Sequence, residues 1–203
     1  MPSTDVLAFV RAALPPPPAR VLEIGAGSGE LAAELRDGGY DVTAIDPAAA
    51  EHAGVQRAAL LDVDGTFDAA VAVVSLHHVE PLRESCEHLA TLVVPGGLLI
   101  VDEFDVARLD ERAAQWWLSQ RRAAGHADEH DAAGLIAFMR HHVHALQQVV
   151  EALAPHFVLG APVPVPYLHR WNLDPGLRAV EQRLIAHGTL PATGARLVAT
   201  RRS

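Results

Sequence analysis

Cysteine and aromatic residues are scarce in this sequence, and it lacks any excess of basic charge. Cys86 is the only cysteine among 203 residues, which excludes an intrachain disulfide and favours a reducing, cytoplasmic compartment. Aspartate and glutamate number 25 against 16 lysines and arginines, so the formal net charge is −9. Phosphate binding needs clustered cations, so no nucleic-acid partner is predicted.

Long hydrophobic runs are also missing. No run approaches the roughly 20 apolar residues that a membrane helix needs, so no membrane partner is predicted. The N-terminus carries Asp5 and shows no basic segment followed by an apolar one, which predicts no signal peptide. Half of the residues are hydrophobic and 20% are charged, as in a globular domain with a sizeable core.

Strand and helix patterns alternate along the first half of the chain. Strands are predicted at 20–24, 41–45, 56–61, 67–75 and 97–102, and helices at 4–14, 29–36, 48–53 and 81–93. The second half is mostly helical, with helices at 110–124, 131–154 and 174–187, an extended segment at 157–166 and a last strand at 194–200. Alternation of this kind predicts right-handed crossovers in an open parallel α/β sheet.

Three alternate glycines separate the first strand from the helix that follows, in V-L-E-I-G-A-G-S-G-E at 21–30. Ligands of such sheets bind beyond the carboxyl ends of the strands, and glycine lets the backbone approach them closely. A dinucleotide-binding turn has the spacing G-x-G-x-x-G, but its third glycine position is Glu30. Glu23, Asp46 and Asp62 lie around the same predicted cleft, which favours a ligand that carries positive charge and no phosphate.

Four blocks in order resemble the class I S-adenosylmethionine-dependent methyltransferases. They are E-x-G-A-G-S-G at 23–29, a strand ending in Asp46-Pro47, F-D-A-A-V-A-V-V-S-L-H-H-V at 67–79, and L-V-V-P-G-G-L-L-I-V-D-E-F at 92–104. The resemblance covers about residues 20–105. It implies a Rossmann-like, doubly wound sheet of seven strands, mostly parallel with the last antiparallel, and a helical insertion after the fifth strand.

The resemblance also implies how a single domain over 1–203 is organised. An N-terminal helix and proline linker take 1–18, a cofactor-binding core takes 19–105, a helical substrate lid with the sixth strand takes 106–192, and the last strand takes 193–203. The implied cofactor is S-adenosylmethionine. The residues implied to bind it are Glu23, Gly25, Ala26, Gly27, Ser28, Gly29, Asp46, Pro47, Asp62, Val63, Ser75 and Leu76.

Within that set the resemblance implies separate roles. Glu23 and the glycine backbone would hold the methionine part, Asp46 the ribose, and Asp62 with Val63 the adenine. Ser75 and Leu76 would close the pocket past the strand at 67–75.

Methyl transfer to an O–H or N–H group needs in-line geometry and a base for the proton. His77 is the predicted base and is expected to face the substrate, whereas a structural hydrogen bond is expected for His78. One of Trp116 and Trp117 is expected in the core, and the other at a pocket wall for an aromatic or cationic substrate. The predicted substrate-binding residues are His78, Asp102, Glu103, Trp116, His130, Tyr167 and Arg170.

A metal site is not predicted. His126 and His130 are spaced four residues apart among acidic residues, but neither H-E-x-x-H nor a cysteine pair accompanies them. The sequence thus predicts a cytoplasmic methyltransferase, monomeric or homodimeric, that acts on an O or N, less readily a C, of a small molecule. Three alternatives stay open: a cofactor-dependent enzyme with a non-methylating reaction, a nicotinamide-dependent oxidoreductase and a non-catalytic module.

Overall fold

The computed structural model describes residues 4–49 and 54–203. These residues form two compact units. The first comprises the described part of 1–103 with 147–161 and 197–203, and the second comprises 104–146 and 162–196. The predicted helix at 48–53 falls mostly on 50–53, outside the described residues. The organisation as one domain with a substrate lid stays a prediction.

Seven strands form one sheet. They are β1 (Arg20–Ile24), β2 (Asp41–Ile45), β3 (Phe67–Val73), β4 (Val93–Phe104), β5 (Phe157–Leu159), β6 (Val163–Val165) and β7 (Gly194–Arg201). The order is β2-β1-β3-β4-β7-β5, and β6 pairs with β7. Pairs among β1 to β4 are parallel, whereas β7 runs antiparallel to β5 and β6. The predicted α/β fold, a mostly parallel sheet with an antiparallel last strand, is confirmed.

Seven α-helices are present among the described residues. They are α1 (Thr4–Ala13), α2 (Glu30–Asp37), α3 (Leu82–Leu92), α4 (Glu111–Ala123), α5 (Ala132–His142), α6 (Leu146–Leu153) and α7 (Arg178–Ala186). No helix in the described part of the chain is long and apolar enough to cross a membrane.

Two predicted elements are wrong. The strand at 56–61 is reduced to one parallel bridge between Gln56 and Ile45, and Leu60–Asp62 form a 3-10 turn. The Asp62 carboxylate accepts the Ala59 N–H at 3.2 Å, a local bond that competes with strand pairing. The helix at 131–154 is two helices, because Val143 is extended (φ −135°, ψ 148°).

Apolar side chains cover both faces of the sheet in the first unit. Leu22, Ala70 and Leu99 belong to one buried cluster, which includes residues of α3 and α6. Their strand neighbours Val21 and Ile100 belong to a second cluster, with residues of α1 and α2. Successive strand residues point to opposite faces, so burial on both faces explains the unbroken apolar run of β3.

Truncating a fully buried strand residue tests this packing. Leu99→Ala removes a side chain with 0% exposure and is expected to lower the free energy of unfolding by about 2–5 kcal/mol. Leu98→Ala, next to it on the other face and half-buried, is the control and should cost less than Leu99→Ala. Urea denaturation measures both losses, and equal losses would contradict the difference in burial between the two positions.

Candidate functional site in the first unit

The glycine turn after β1 adopts backbone angles that favour glycine. Gly25, Gly27 and Gly29 have φ of 71°, 53° and 77°. A Cβ on Gly25 would also lie 2.4 Å from the Cβ of Ser75, which follows β3. Gly25 is therefore required both by its conformation and by the close approach of the neighbouring strand end.

Asp46 connects the end of β2 to this turn. One carboxylate oxygen accepts the Gly27 N–H at 2.9 Å and the other accepts the Ala48 N–H at 2.8 Å. Each oxygen keeps further acceptor capacity, because an ionised carboxylate accepts about four hydrogen bonds. Asp46 thus holds the turn in shape and can still accept hydroxyl groups from a ligand.

A cavity of about 500 Å³ opens beside these strand ends. Four of the predicted cofactor residues line it: Gly25, Asp46, Pro47 and Ser75. The other predicted cofactor residues are not among its lining residues; they are Glu23, Ala26, Gly27, Ser28, Gly29, Asp62, Val63 and Leu76. Most of the wall is apolar and includes Ala58, Leu60, Leu61 and Val79, which suits a flat ring system.

Glu23 is buried in β1 with 4% exposure. Burial raises the pKa of its carboxyl to about 7, although the charge of Arg36 and a hydrogen bond from the Ala32 backbone both lower it. Among the described residues, no hydrogen-bond partner reaches Oε2 of Glu23. A buried carboxylate oxygen without a partner is costly, and a ligand cation would remove that cost.

Backbone strain and a second unsatisfied atom mark the end of β3. Val74 lines the cavity with φ of 53°, an uncommon conformation for a β-branched residue that costs roughly 1–3 kcal/mol. The next residue, Ser75, has a buried Oγ to which no described residue offers a hydrogen bond. Strain and orphaned polar atoms tend to cluster where ligands bind.

Glu103, at the end of β4, is a buried acceptor for the turn after β3. Its Oε1 accepts the N–H groups of Ser75 at 2.8 Å and Leu76 at 2.6 Å. Its Oε2 lies 2.5 Å from Nδ1 of His77. Glu103 was predicted to bind substrate, but its carboxylate is used inside the protein and is 1% exposed. Asp102, also predicted to bind substrate, is 0% exposed.

The two histidines of the turn differ in exposure. His77 is 3% exposed and hydrogen-bonded to Glu103, whereas His78 is exposed and lines the cavity. The rings lie 4.2 Å apart between centroids. Buried His77 is not among the cavity-lining residues, whereas His78, also predicted to bind substrate, is one of them. The structural hydrogen bond expected for His78 stays a prediction. The catalytic role of His77 stays a prediction.

Asp62 and Val63 are placed away from the cavity wall. Asp62 caps its own turn through the Ala59 N–H, and the Val63 carbonyl lies 2.8 Å from Nε2 of His88. Leu60 and Leu61 line the cavity instead. The predicted strand at 56–61 is missing here, and a 3-10 turn presents different residues from those at the end of a strand. The adenine-binding role of Asp62 and Val63 stays a prediction.

The remaining predicted substrate residues belong to the second unit. Trp117, and not Trp116, lines a separate cavity there of about 330 Å³, together with His130. Tyr167 is buried and stacks on Phe104 at 4.7 Å, with the Arg170 guanidinium 5.5 Å from the Tyr167 ring centroid.

A second buried glutamate holds the segment that contains Tyr167. Glu181 of α7 accepts the N–H groups of Tyr167, Leu168 and His169 at 2.9 Å each, and Nδ1 of His169 lies 2.7 Å from it. Burial raises the pKa of Glu181, but the His169 side chain and these backbone N–H groups outweigh burial, so its pKa is lowered. Glu181 is therefore ionised, and both of its carboxylate oxygens bind groups of this turn.

Several lining residues of the first cavity were missed by sequence reasoning: Ala48, Ala58, Ala59, Leu60, Leu61, Val74, Val79, Glu80 and Ser85. Most lie within a few residues of a strand end or motif that was recognised. In the described part of the chain, no group of three or more His, Cys, Asp or Glu side chains is arranged to hold a metal ion.

A glycine substitution tests the close approach of the β1 and β3 ends. Gly25→Ala should cost about 1–2 kcal/mol for its positive φ, and more because its Cβ would meet Ser75. Gly96→Ala is the matched control: its φ is 78°, but nothing lies within 4 Å of the added Cβ. Thermal unfolding compares the two variants, and an equal loss of stability would rule out the clash.

Comparison with known proteins places this site in a family. The sequence profile of a methyltransferase domain matches residues 4–142. An uncharacterised methyltransferase of Mycobacterium tuberculosis H37Rv is 35% identical over 124 residues, which cover 53% of this chain and 61% of that relative. The chain thus matches less than two thirds of the relative's length.

Solved structures share the fold at low identity. An S-adenosylmethionine-dependent methyltransferase of Mesorhizobium loti superposes with a TM-score of 0.61 at 18% identity, over 98% of this chain and 96% of that one. A second structure is the 1,6-didemethyltoxoflavin-N1-methyltransferase of Burkholderia thailandensis, with 1,6-didemethyltoxoflavin and S-adenosylhomocysteine bound. It superposes with a TM-score of 0.57 at 17% identity, over 98% of this chain and 77% of that one. With the glycine turn, the sheet order and the profile match in agreement, the chain belongs to the class I S-adenosylmethionine-dependent methyltransferase family.

Proposed function

We propose that this protein transfers a methyl group from S-adenosylmethionine to an oxygen or nitrogen, less readily a carbon, of a small molecule. The observation that carries the proposal is the buried carboxylate of Glu23, whose Oε2 has no partner among the described residues, two positions before the glycine turn. Within this family the cofactor carries both an ammonium group and a sulfonium. An unsatisfied buried acceptor suits such a cation.

The residues of the first unit fit this cofactor. Glu23 would bind the ammonium of the methionine part, and the backbone of the glycine turn would bind its carboxylate. Asp46 would accept the ribose hydroxyls, and the apolar wall at Leu60, Leu61 and Val79 would contact the adenine. S-adenosylmethionine, when bound, supplies a methyl group activated by a positively charged sulfur.

Charge separates this proposal from the oxidoreductase alternative. A dinucleotide would bring a pyrophosphate to the turn, where Glu23 and Asp46 would repel it. Glu80 adds another carboxylate to the cavity wall. The alternative therefore requires phosphate binding in an acidic cleft, whereas S-adenosylmethionine brings positive charge and no phosphate.

A candidate proton acceptor stands on the turn after β3. His78 is exposed and lines the cavity, and imidazole is a common general base in enzymes. Nδ1 of buried His77 lies 2.5 Å from the Glu103 carboxylate, so this ring is held inside the turn. We therefore add His78 to His77 as a candidate base. In this arrangement the His77–Glu103 pair positions the turn.

Replacing Glu23 tests the cofactor site. Glu23→Gln keeps the shape but removes the charge, so S-adenosylhomocysteine should bind about 10–100-fold more weakly, the worth of a hydrogen bond to a charged group. Glu84→Gln, an exposed glutamate of α3, is the control and should change nothing. Isothermal titration calorimetry measures both, with NADH as the ligand expected not to bind. Unchanged affinity in Glu23→Gln would remove Glu23 from the site.

The same variant has a pH signature. The raised pKa of Glu23, about 7 against 4.5 for the unfolded chain, means that its protonated form favours folding. This contribution is fully present below pH 4.5 and is lost as pH rises through 7, roughly 3 kcal/mol in all. The free energy of unfolding of Glu23→Gln should not fall in this way between pH 4.5 and 7.

Cofactor binding near pH 7 should also release a proton from the wild type. Calorimetric titration in buffers of different ionisation enthalpy detects this release.

A pair of histidine variants separates catalysis from positioning. His78→Ala should lower turnover about 100-fold or more, the usual worth of a general base, while S-adenosylhomocysteine affinity stays within about threefold. His77→Ala should also reduce stability, by about 1–3 kcal/mol, because it leaves Glu103 without one partner. Turnover is followed as S-adenosylhomocysteine release with a panel of phenols and amines. Full activity of His78→Ala would return the role of base to His77.

A further inference from the structure

The second unit contains a cavity of about 330 Å³ with aromatic walls. Trp117 and Trp171 stack with ring centroids 4.2 Å apart, and the indole Nε1–H of Trp117 donates to the Trp171 carbonyl at 2.8 Å. Phe138 also lines this space and is 42% exposed, an unusual fraction for a large aromatic residue. His142 stacks on Phe138 with ring centroids 3.9 Å apart, so the walls offer mainly ring edges to a ligand.

The tryptophan wall is fixed by bonds within the unit. The Arg121 guanidinium lies 4.9 Å from the centre of the Trp117 ring and 2.6 Å from an oxygen of Asp128. Trp171 follows the turn that Glu181 holds, and the backbone N–H of Trp171 donates to the Leu168 carbonyl at 3.0 Å. A wall held in this way is preorganised, so little ordering entropy opposes ligand binding.

The charged side chains at the rim of this cavity determine which ligand charge is favoured. The cavity lining includes two carboxylates, Asp128 and Glu129, and the imidazole of His130. Arg121 balances Asp128 through their ion pair, which leaves Glu129 as an additional negative charge. Two carboxylates at the rim are thus accompanied by one guanidinium. A cation is therefore favoured there, and an anion is opposed.

We propose that this cavity is a binding site for a small aromatic amine. The ring would lie between the tryptophan pair and Phe138, and the ammonium would lie at Glu129. A volume of about 330 Å³ is at the lower end for small-molecule sites and fits one ring system with a short side chain. The site is built within the second unit alone, so it does not depend on the proposed cofactor site.

Three probes with one phenyl ring and different charges test the proposal: 2-phenylethylamine, 2-phenylethanol and phenylacetate. Saturation-transfer NMR and calorimetric titration at pH 7 should show the amine binding about threefold more tightly than the alcohol, and phenylacetate more weakly than both. Each titration is repeated with S-adenosylhomocysteine in excess. Amine binding should persist, because the first-unit cavity is a different site.

Two exposed lining residues provide the variants. Phe138→Ala should weaken the amine and the alcohol alike, by about fivefold. Glu129→Gln should abolish the preference for the amine and leave alcohol binding within about twofold. Val163→Ala, an exposed apolar residue of the same unit, and Glu87→Gln, an exposed glutamate of α3, are the controls and should change neither.

Four results would overturn the proposal. They are no saturation transfer to any probe, equal binding of phenylacetate and the amine, undiminished amine binding by Phe138→Ala, and displacement of the amine by S-adenosylhomocysteine. If S-adenosylhomocysteine itself does not bind, the proposed methyl transfer fails, but the aromatic site still stands or falls by the probes and variants.

Discussion

The buried carboxylate of Glu103 is the interaction on which the arrangement of the first site depends. It accepts the N–H groups of Ser75 and Leu76, and its other oxygen lies 2.5 Å from Nδ1 of His77, so this buried carboxyl group has hydrogen-bond partners on both oxygens. These bonds fix the turn that keeps Ser75 against Gly25 and presents His78 to the cavity. The strained φ of Val74 lies at the start of the same turn, where surrounding bonds over-determine the backbone.

The second unit repeats this arrangement with different residues. Glu181 receives consecutive N–H groups and a histidine Nδ1 from Y-L-H, just as Glu103 does from S-L-H. The residues that open the two turns have nearly the same backbone angles, φ −133° and ψ −40° for Ser75 against φ −137° and ψ −36° for Tyr167. In each turn the histidine is buried and the residue after it, His78 or Arg170, is more exposed. A buried Glu–His pair is thus this protein's means of holding a tight turn and presenting one polar side chain.

Sequence reasoning predicted the parts of the site that depend on local chain chemistry. The glycine spacing, the strand that ends at Asp46 and the apolar run of β3 follow from periodicity and turn residues within a few positions. Sequence reasoning missed the features of the site that depend on contacts with residues distant in sequence. Glu103 is 26 positions from His77 and determines which histidine is buried. Adjacent helix positions point about 100° apart, so the sequence alone did not distinguish Trp116 from Trp117. The strand predicted at 56–61 ends instead in a 3-10 turn, in which the Asp62 carboxylate accepts the Ala59 N–H.

The two carboxylates at the glycine turn differ in what remains for a ligand to satisfy. Both oxygens of Asp46 already accept backbone N–H groups, so part of its hydrogen-bonding capacity is used within the protein. Glu23 keeps an unsatisfied oxygen, and its raised pKa means that a proton occupies much of the site near pH 7. A ligand ammonium would replace that proton and remove the cost of burying the charge. Glu23 therefore couples cofactor binding to proton release, whereas Asp46 gives the turn its shape. Because Asp46 has a partner on each oxygen and Glu23 lacks one on Oε2, the selectivity of the turn for a cation depends mainly on Glu23.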